Sequence, residues 1–241
     1  VNDVNTFSGN YMLSSTDFSI TGVGPALELK RTYNSLRPMD INTFGRSWTT
    51  ILDMHMDAVT YKAFGLALVY DQTGNATIWT HSVDGPTHQE YLPQRGASGK
   101  LAHYDAYPDV GSVWVLNDHG NNTFWFNPSG KLIRIIDEFQ RSVGITYNAD
   151  NTARDMTSSV SGRALHFTWD KVSWSGGTVP LLSTVQTDPV TIYDWKEGKK
   201  YTRVTDWHVG GHDKYAVDKV KEALKAYRAW KKSGAARIWK P

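Results

Sequence analysis

Between Phe126 and Asp170 the chain repeats one pattern several times within 45 residues: alternating apolar and polar residues, then a turn built on Gly, Asn or Asp, then another alternating run. Leu132, Ile133, Ile135 and Ile136 precede Asp137-Glu138-Phe139-Gln140, Val143, Ile145 and Tyr147 lead into Asn148-Ala149-Asp150-Asn151, and Leu165, Phe167 and Trp169 follow Ser161-Gly162-Arg163. Successive side chains of a strand point to opposite faces, so apolar residues at period two mark a strand with one buried face. Asx and Gly residues tolerate the positive φ of a tight return. The stretch predicts β-hairpins strung end to end, and no helix-period pattern of comparable strength competes with it.

The rest of the chain extends this reading. Tyr11, Leu13, Phe18, Ile20, Leu27, Leu29 and Tyr33 are spaced largely at period two and predict two or three strands, interrupted at Gly22-Val23-Gly24-Pro25. Leu66, Leu68 and Tyr70 alternate before Asp71-Gln72-Thr73-Gly74-Asn75, with Ala76, Ile78 and Trp79 beyond that turn. Residues 81–103 are poorer in periodicity and rich in Gly, Pro and Ser, which predicts a loop with at most one short strand around Tyr91 and Leu92. Val113, Val115 and Leu116 lead through Asn117–Asn122 to Phe124 and Phe126, another hairpin. Ser173–Pro180 reads as a turn-rich break, followed by a strand over Leu181–Val185. Ile192, Tyr193 and Trp195, with Tyr201, Val204 and Trp207, predict a two-stranded ribbon turning at Glu197-Gly198-Lys199. From Asp213 to Trp230 the apolar residues Val217, Val220, Leu224 and Tyr227 recur at spacings of three and four, which predicts an amphipathic helix with Asp213 as N-cap.

Ten Trp, twelve Tyr and eight Phe suit a β architecture, in which aromatic cross-strand pairs stabilise neighbouring strands. The chain has no Cys, which excludes disulfides and thiolate chemistry, and no apolar run long enough to span a membrane as a helix. It begins with Val1 rather than Met, which predicts an excised or processed fragment. Charge is divided unevenly: residues 196–241 carry 13 Lys and Arg against 5 Asp and Glu, a net +8, while the preceding 195 carry 13 against 19, a net −6. A basic tail of this kind suits either an anionic partner such as nucleic acid, the acidic body itself, or simply a solvated Lys-rich helix face.

Three frames resemble the tyrosine-aspartate (YD) repeats of bacterial Rhs proteins and of the related toxin-complex and teneurin shells. They are Gly130-Lys131-Leu132 with Asp137, Ile145-Thr146-Tyr147-Asn148-Ala149-Asp150-Asn151, and Ser161-Gly162-Arg163 with Phe167-Thr168-Trp169-Asp170. Asn148 stands where the repeat has Asp, and Asn151 where it has Gly; both replacements can make Asx turns and enter the left-handed region. Thr6–Asn10, Thr16-Asp17-Phe18, Leu27–Ser35 and Phe44-Gly45-Arg46-Ser47-Trp48 together resemble the opening segment of Rhs shells. The resemblance implies a repeat shell that encloses, with a variable C-terminal segment carrying a toxin. A closed cocoon needs many more repeats than this chain supplies. The expectation is therefore a short platform, its open edge covered by the helix at Asp213–Trp230.

Candidate chemistry is sparse. In the tail, Asp206, His208 and His212 supply a carboxylate and two imidazoles suited to general acid-base cleavage of RNA, with Arg203 and Lys214 to hold phosphate. Imidazoles are also common metal ligands, but the set is incomplete and no metal or other cofactor is expected. The Asp53-Met54-His55-Met56-Asp57 run suits a strand with alternating faces better than a ligand cluster. Asp105, Asp109 and Asp118 lack the spacing of a calcium loop. Trp114, Trp125, Trp169, Trp174 and Trp195 can stack on sugars, although Trp at alternating strand positions usually belongs to core or interface.

These readings converge on a mainly β protein, a twisted antiparallel sheet of stacked YD-type hairpins with one C-terminal amphipathic helix. Residues 1–50 form the opening segment, 51–185 the repeats and 186–241 a basic ribbon-plus-helix tail. The leading expectation is a non-catalytic bacterial scaffold, secreted or surface-associated, that encloses or presents a protein partner: a toxin, an immunity protein or a secretion-system component. A nuclease in the basic tail and a carbohydrate-binding module are the alternatives.

Overall fold

Thirteen strands form one antiparallel sheet in which every hydrogen-bonded neighbour is also a neighbour in sequence. The computed structural model describes residues 4–5, 9–20, 22–37, 41–58, 64–118, 120–174, 177–187 and 190–194, all within one compact unit, Val1–Thr202. The opening strands are β1 (Val4–Asn5), β2 (Asn10–Ile20), β3 (Leu27–Asn34), β4 (Ile41–Asn42), β5 (Gly45–Arg46) and β6 (Trp48–Thr50). A 3-10 turn at Ile51–Asp53 leads into β7 (His55–Asp57). The meander continues through β8 (Leu66–Tyr70), β9 (Ala76–Asp84), β10 (Gln89–Pro93), β11 (Lys100–Tyr107), β12 (Gly111–Asn117) and β13 (Thr123–Phe126). Beyond these lie β14 (Leu132–Ile136), β15 (Ser142–Tyr147), β16 (Ala153–Ser158), β17 (Ala164–Trp174), β18 (Gly177–Thr187) and β19 (Val190–Asp194). The opening strands make a four-stranded sheet in the order β1-β2-β3-β6, with β4 and β5 paired separately. The protein is thus mainly β and antiparallel, and there is no α-helix among the described residues. The expected helix at Asp213–Trp230 lies outside them.

Five of the returns share one geometry. Asp71, Asp118, Asn127, Asp137 and Asn148 each begin a turn in which their own N–H donates to the carbonyl four residues on, at 2.8–3.0 Å. The fourth residue of each turn is left-handed: Gly74, Asn121, Gly130, Gln140 and Asn151, with φ between 59° and 82°. This is a type I turn closed by a left-handed residue, whose twist matches that of the flanking strands. In four turns the leading side chain locks the loop. Oδ1 of Asp71, Asn127 and Asp137 accepts the N–H groups two and four residues on, while that of Asp118 accepts the N–H of Asn122. The Asn148 turn keeps the same backbone, but there Asp150 Oδ1 accepts from Thr152 N–H and Oγ1, and Asn148 Nδ2 donates to Thr152 Oγ1. Asn151 takes the left-handed conformation that its position requires, at φ 66°.

Two stretches differ from the sequence expectation. Residues 81–103 hold the short strand expected around Tyr91 and Leu92, as β10, but also the end of β9 and the start of β11 where a loop was expected. Their inward positions carry His and Tyr in place of aliphatic residues, so aliphatic alternation is absent although ring packing is not. His81 lies edge-on to Tyr91 at 5.4 Å, Tyr91 packs on Trp114 at 5.0 Å and His103 on Trp114 at 4.4 Å. The supposed break at Ser173–Pro180 is the tip of the longest hairpin, with Lys171 opposite Pro180, Val172 opposite Val179 and Trp174 opposite Gly177. Pro180 is tolerated because β19 pairs with β18 only over Thr184–Thr187, leaving the sheet position beside Pro180 without a strand among the described residues. Ile192 and Tyr193 are in a strand as expected, but it pairs with β18; Trp195 and the other half of the expected ribbon lie outside the described residues.

One apolar face of the meander and the opening sheet share a core. Leu27, Leu29, Ile51, Met54 and Met56 pack with Val69, Trp79, Leu101, Phe126, Leu132, Val143, Met156, Leu165 and Val185. The middle strands are apolar on both faces, and Val113, Val115, Trp125 and Ile136 form a smaller cluster on the other side, with the Arg134 guanidinium 5.2 Å from the Trp125 ring. The sheet also coils onto itself. Met56 N–H donates to Gly130 O at 2.8 Å and His55 bridges Lys131, so the edge strand β7 meets the β13–β14 turn although β8 to β12 lie between them in the sheet. That contact covers an edge that would otherwise recruit another strand.

An ion pair joins β2 and β3 in the opening segment. Arg31 Nε lies 3.1 Å from Asp17 Oδ2, with the guanidinium 5.0 Å from the Trp48 ring and 5.6 Å from that of Phe44. Phe44–Trp48 therefore closes the strands beside β3, and Trp48 pairs with Tyr33 across them. At the far end, Leu182 N–H of β18 donates to Thr43 O at 2.9 Å, tying the meander back to the β4–β5 turn.

Gly130 and Gln140 test the turn geometry in opposite directions. A Cβ on Gly130 would lie 1.8 Å from Met56 O, so Gly130→Ala must open the β7 contact and is expected to cost about 2–4 kcal/mol in urea unfolding. Gln140 pays for a left-handed backbone at φ 62°, so Gln140→Gly is expected to stabilise by up to about 1 kcal/mol.

Candidate functional site

The β4–β5 hairpin, the loop after β3, the 3-10 turn and the first hairpin turn border an open cavity of about 380 Å³. Its walls are set by polar side chains that the fold has already engaged. Asp53 sits at the 3-10 turn capped by Thr50, and its carboxylate accepts from Thr43 N at 2.9 Å, Thr43 Oγ1 at 2.6 Å, Thr50 N at 2.8 Å and Thr50 Oγ1 at 3.1 Å. The residue keeps some exposed surface, but its carboxylate is held inside the fold; burial pushes it above the usual carboxylate range, and the four donors offset that only in part. The same buried charge, together with burial of the ring itself, raises Tyr147, whose hydroxyl donates to Leu132 O at 2.6 Å.

His55 follows on β7. Met54 and Met56 turn into the core while His55 stays exposed, the alternation its sequence predicts. Its ring stacks on Tyr70 at 4.4 Å and 7° between planes. Nδ1 lies 2.7 Å from Asp53 O; a carbonyl only accepts, so Nδ1 carries the proton and the neutral ring leaves Nε2 as an acceptor. Arg37 is placed by the loop that buried Asn34 organises: Asn34 Oδ1 accepts Leu36 N–H, and Asn34 Nδ2 donates to Thr73 O across to the first hairpin turn. Gly74 of that turn presses on Thr49, where a Cβ would lie 3.1 Å from Thr49 Cγ2. The cavity thus combines a cation, a carboxylate on Asp71, an imidazole and a phenol ring on a braced frame.

A second depression, of similar size, lies at the β9–β10 return and is lined by Asp84, Thr87, His88 and Asp105. Histidine–carboxylate pairs surround it: His81 with Asp84 at 3.0 Å, His88 with Glu90 at 3.2 Å and His103 with Asp105 at 3.6 Å. Each imidazole is occupied by its own carboxylate or by neighbouring side chains, and no group of three or more His, Asp or Glu suited to a metal occurs among the described residues.

The residues singled out from sequence fall as follows. Asp206, His208, His212, Arg203 and Lys214 lie outside the described residues. Trp114 and Trp125 are buried, Trp169 is half-buried and donates its Nε1–H to Ala153 O at 2.6 Å, and none of the three presents a free ring face for a sugar. Asp105 lies in β11 rather than in a loop, and Asp118 locks its own turn. Sequence reading set His55 aside as a strand residue, which it is; its place on a cavity wall depends on Arg37, Asp53 and Tyr70, which only folding gathers.

Comparison with known proteins adds three findings. The N-terminal part matches a known family. Residues 1–84 match the family described as a domain of unknown function, DUF6531. The chain is similar to the tRNA nuclease WapA of Bacillus subtilis strain 168 and to the tRNA3(Ser)-specific nuclease WapA of Bacillus spizizenii, in each case 30% identical over 151 residues. Those residues are 61% of this chain but 6% of each relative, so the chain spans a small fraction of their length. Among solved structures, the N-terminal domain of the effector protein SpvB from Salmonella typhimurium strain LT2 aligns at 12% identity with a TM-score of 0.43, covering 73% of this chain and 87% of that one.

Asp53 sets the prediction here. Asp53→Ala removes the acceptor of four donors and is expected to cost about 2–4 kcal/mol. Because its folded pKa is raised, the proton is held more tightly by the folded state, and that contribution is present at low pH and lost as pH rises through the folded value. The stability of the wild type relative to Asp53→Asn should therefore increase as pH falls from neutral through the carboxylate range, read as the difference in urea midpoints.

Proposed function

We propose that residues 1–185 form a non-catalytic scaffold of the YD-repeat type, an opening segment and first repeats that hold or present a protein partner in a secreted or surface-associated bacterial toxin system. The observation that carries this reading is the meander itself, in which five returns share one turn geometry and β18 bonds back to the opening segment through Leu182 N–H and Thr43 O. A unit that buries only part of its surface alone and adds neighbours one at a time is the physical basis of repeat shells. Similarity to a small fraction of much larger proteins named as tRNA nucleases supports placing the chain in the carrier portion of a toxin-related polypeptide. A scaffold of this kind retains its partner: co-expression with the products of adjacent genes, followed by size-exclusion chromatography, is expected to yield a stable complex, and elution of the chain alone in every case overturns the reading.

A second reading is favoured by the relatives' names and by the net +8 of residues 196–241. In it the tail is a nuclease, with His208 and His212 as general acid and base, Asp206 orienting an imidazole, and Arg203 and Lys214 holding phosphate. Incubation of the full chain with tRNA separates the two. The scaffold alone leaves tRNA intact; cleavage abolished by His208→Ala or His212→Ala places the nuclease in the tail, and cleavage indifferent to both removes these residues from the proposal.

A further inference from the structure

The cavity between the opening segment and the first hairpin turn has the features of a binding site, and they narrow its ligand. At about 380 Å³ it falls in the lower part of the size range of small-molecule sites, roughly 300–1,000 Å³. Its frame is preorganised: Asp53 is held by four donors, His55 by the Asp53 carbonyl and the Tyr70 ring, and the turn at Asp71 by Asn34 and Thr49. A ligand entering it therefore orders little of the protein, which lowers the cost of binding.

Three groups lining the cavity have bonding capacity in hand. The Arg37 guanidinium has neither an ion pair nor a hydrogen bond among the described residues, whereas Arg31, Arg141 and Arg154 are all paired with aspartates. Asp71 spends Oδ1 on Thr73 N, Thr73 Oγ1 and Asn75 N, and Oδ2 has no partner among the described residues. His55 keeps Nε2 as an acceptor on an exposed ring.

A planar guanidinium matches a carboxylate through two parallel hydrogen bonds. Asp71 Oδ2 and His55 Nε2 both call for donors, which acetate lacks, inorganic phosphate supplies sparingly and a polyhydroxylated ring has in number. A purely neutral sugar leaves Arg37 unanswered.

We infer that this cavity binds a sugar acid, its carboxylate on Arg37 and its hydroxyls on Asp71 Oδ2 and His55 Nε2. This assignment does not depend on either reading of function.

The test is calorimetric titration of the full chain with D-glucuronate and D-galacturonate, alongside D-glucose, inorganic phosphate and glycine. Saturable binding of at least one uronate is expected, with none for glucose and weaker binding for phosphate and glycine. Arg37→Gln should weaken uronate binding at least about tenfold, and Arg37→Lys by less, because Lys keeps the charge and loses the fork. Both variants should retain the wild-type urea midpoint, since the guanidinium has no partner to lose among the described residues. Absence of saturable binding for both uronates, binding indifferent to Arg37→Gln, or preference for glycine or phosphate overturns the assignment.

Discussion

Five turns of one geometry set the register over much of the thirteen-stranded meander. In a meander each strand is positioned only by the strand before it, so an error of one residue at any return would send every following side chain to the wrong face. Pairing of the leading N–H with the carbonyl four residues on, and a left-handed fourth residue, leave the chain one way back. Where that residue is Gly130, the same geometry lets backbone meet backbone at Met56. Where it is Gln140 or Asn151, the conformation is held at some cost by the surrounding pairs.

A meander made only of local pairs would still have two open edges and one uncovered face. The coiling of the meander covers one edge, and the opening segment covers the face. Its apolar residues Leu27, Leu29 and Ile51 complete the core, and the β4–β5 turn receives Leu182 N–H from the far side of the sheet. The edge at β7 is covered by the β13–β14 turn. These contacts join residues far apart in sequence, and the buried carboxylate of Asp53 stands at their junction, bonded to Thr43 and Thr50.

The functional picture divides along the chain. Many of the described polar side chains are occupied with holding a sheet together, as at Asp53, Asp71, Asp137 and Asp155. Arg37 lines a braced cavity and has no ion pair or hydrogen bond from its guanidinium among the described residues. Similarity to WapA relatives covers 61% of this chain and 6% of each of theirs, which places what is seen here as a small part of a larger design in those proteins.

Strand identity and hairpin order were largely legible in the sequence, because period-two alternation and turn chemistry are local properties. Leu132–Ile136, Val143–Tyr147 and Leu165–Trp169 lie in strands where the alternation puts them, and Asp71, Asp137 and Asn151 do in their turns what their side chains allow. The pattern failed where imidazoles stood in place of aliphatics, at His81 and His103, and where Pro180 stood beside a sheet position that needs no donor. Tertiary structure alone decided that β7 closes on Gly130, that Thr43 meets Leu182, and that Arg37, Asp53, His55 and Tyr70 share one cavity. Those meetings depend on how far the sheet coils over many strands, a sum of small rotations that no single stretch of sequence encodes.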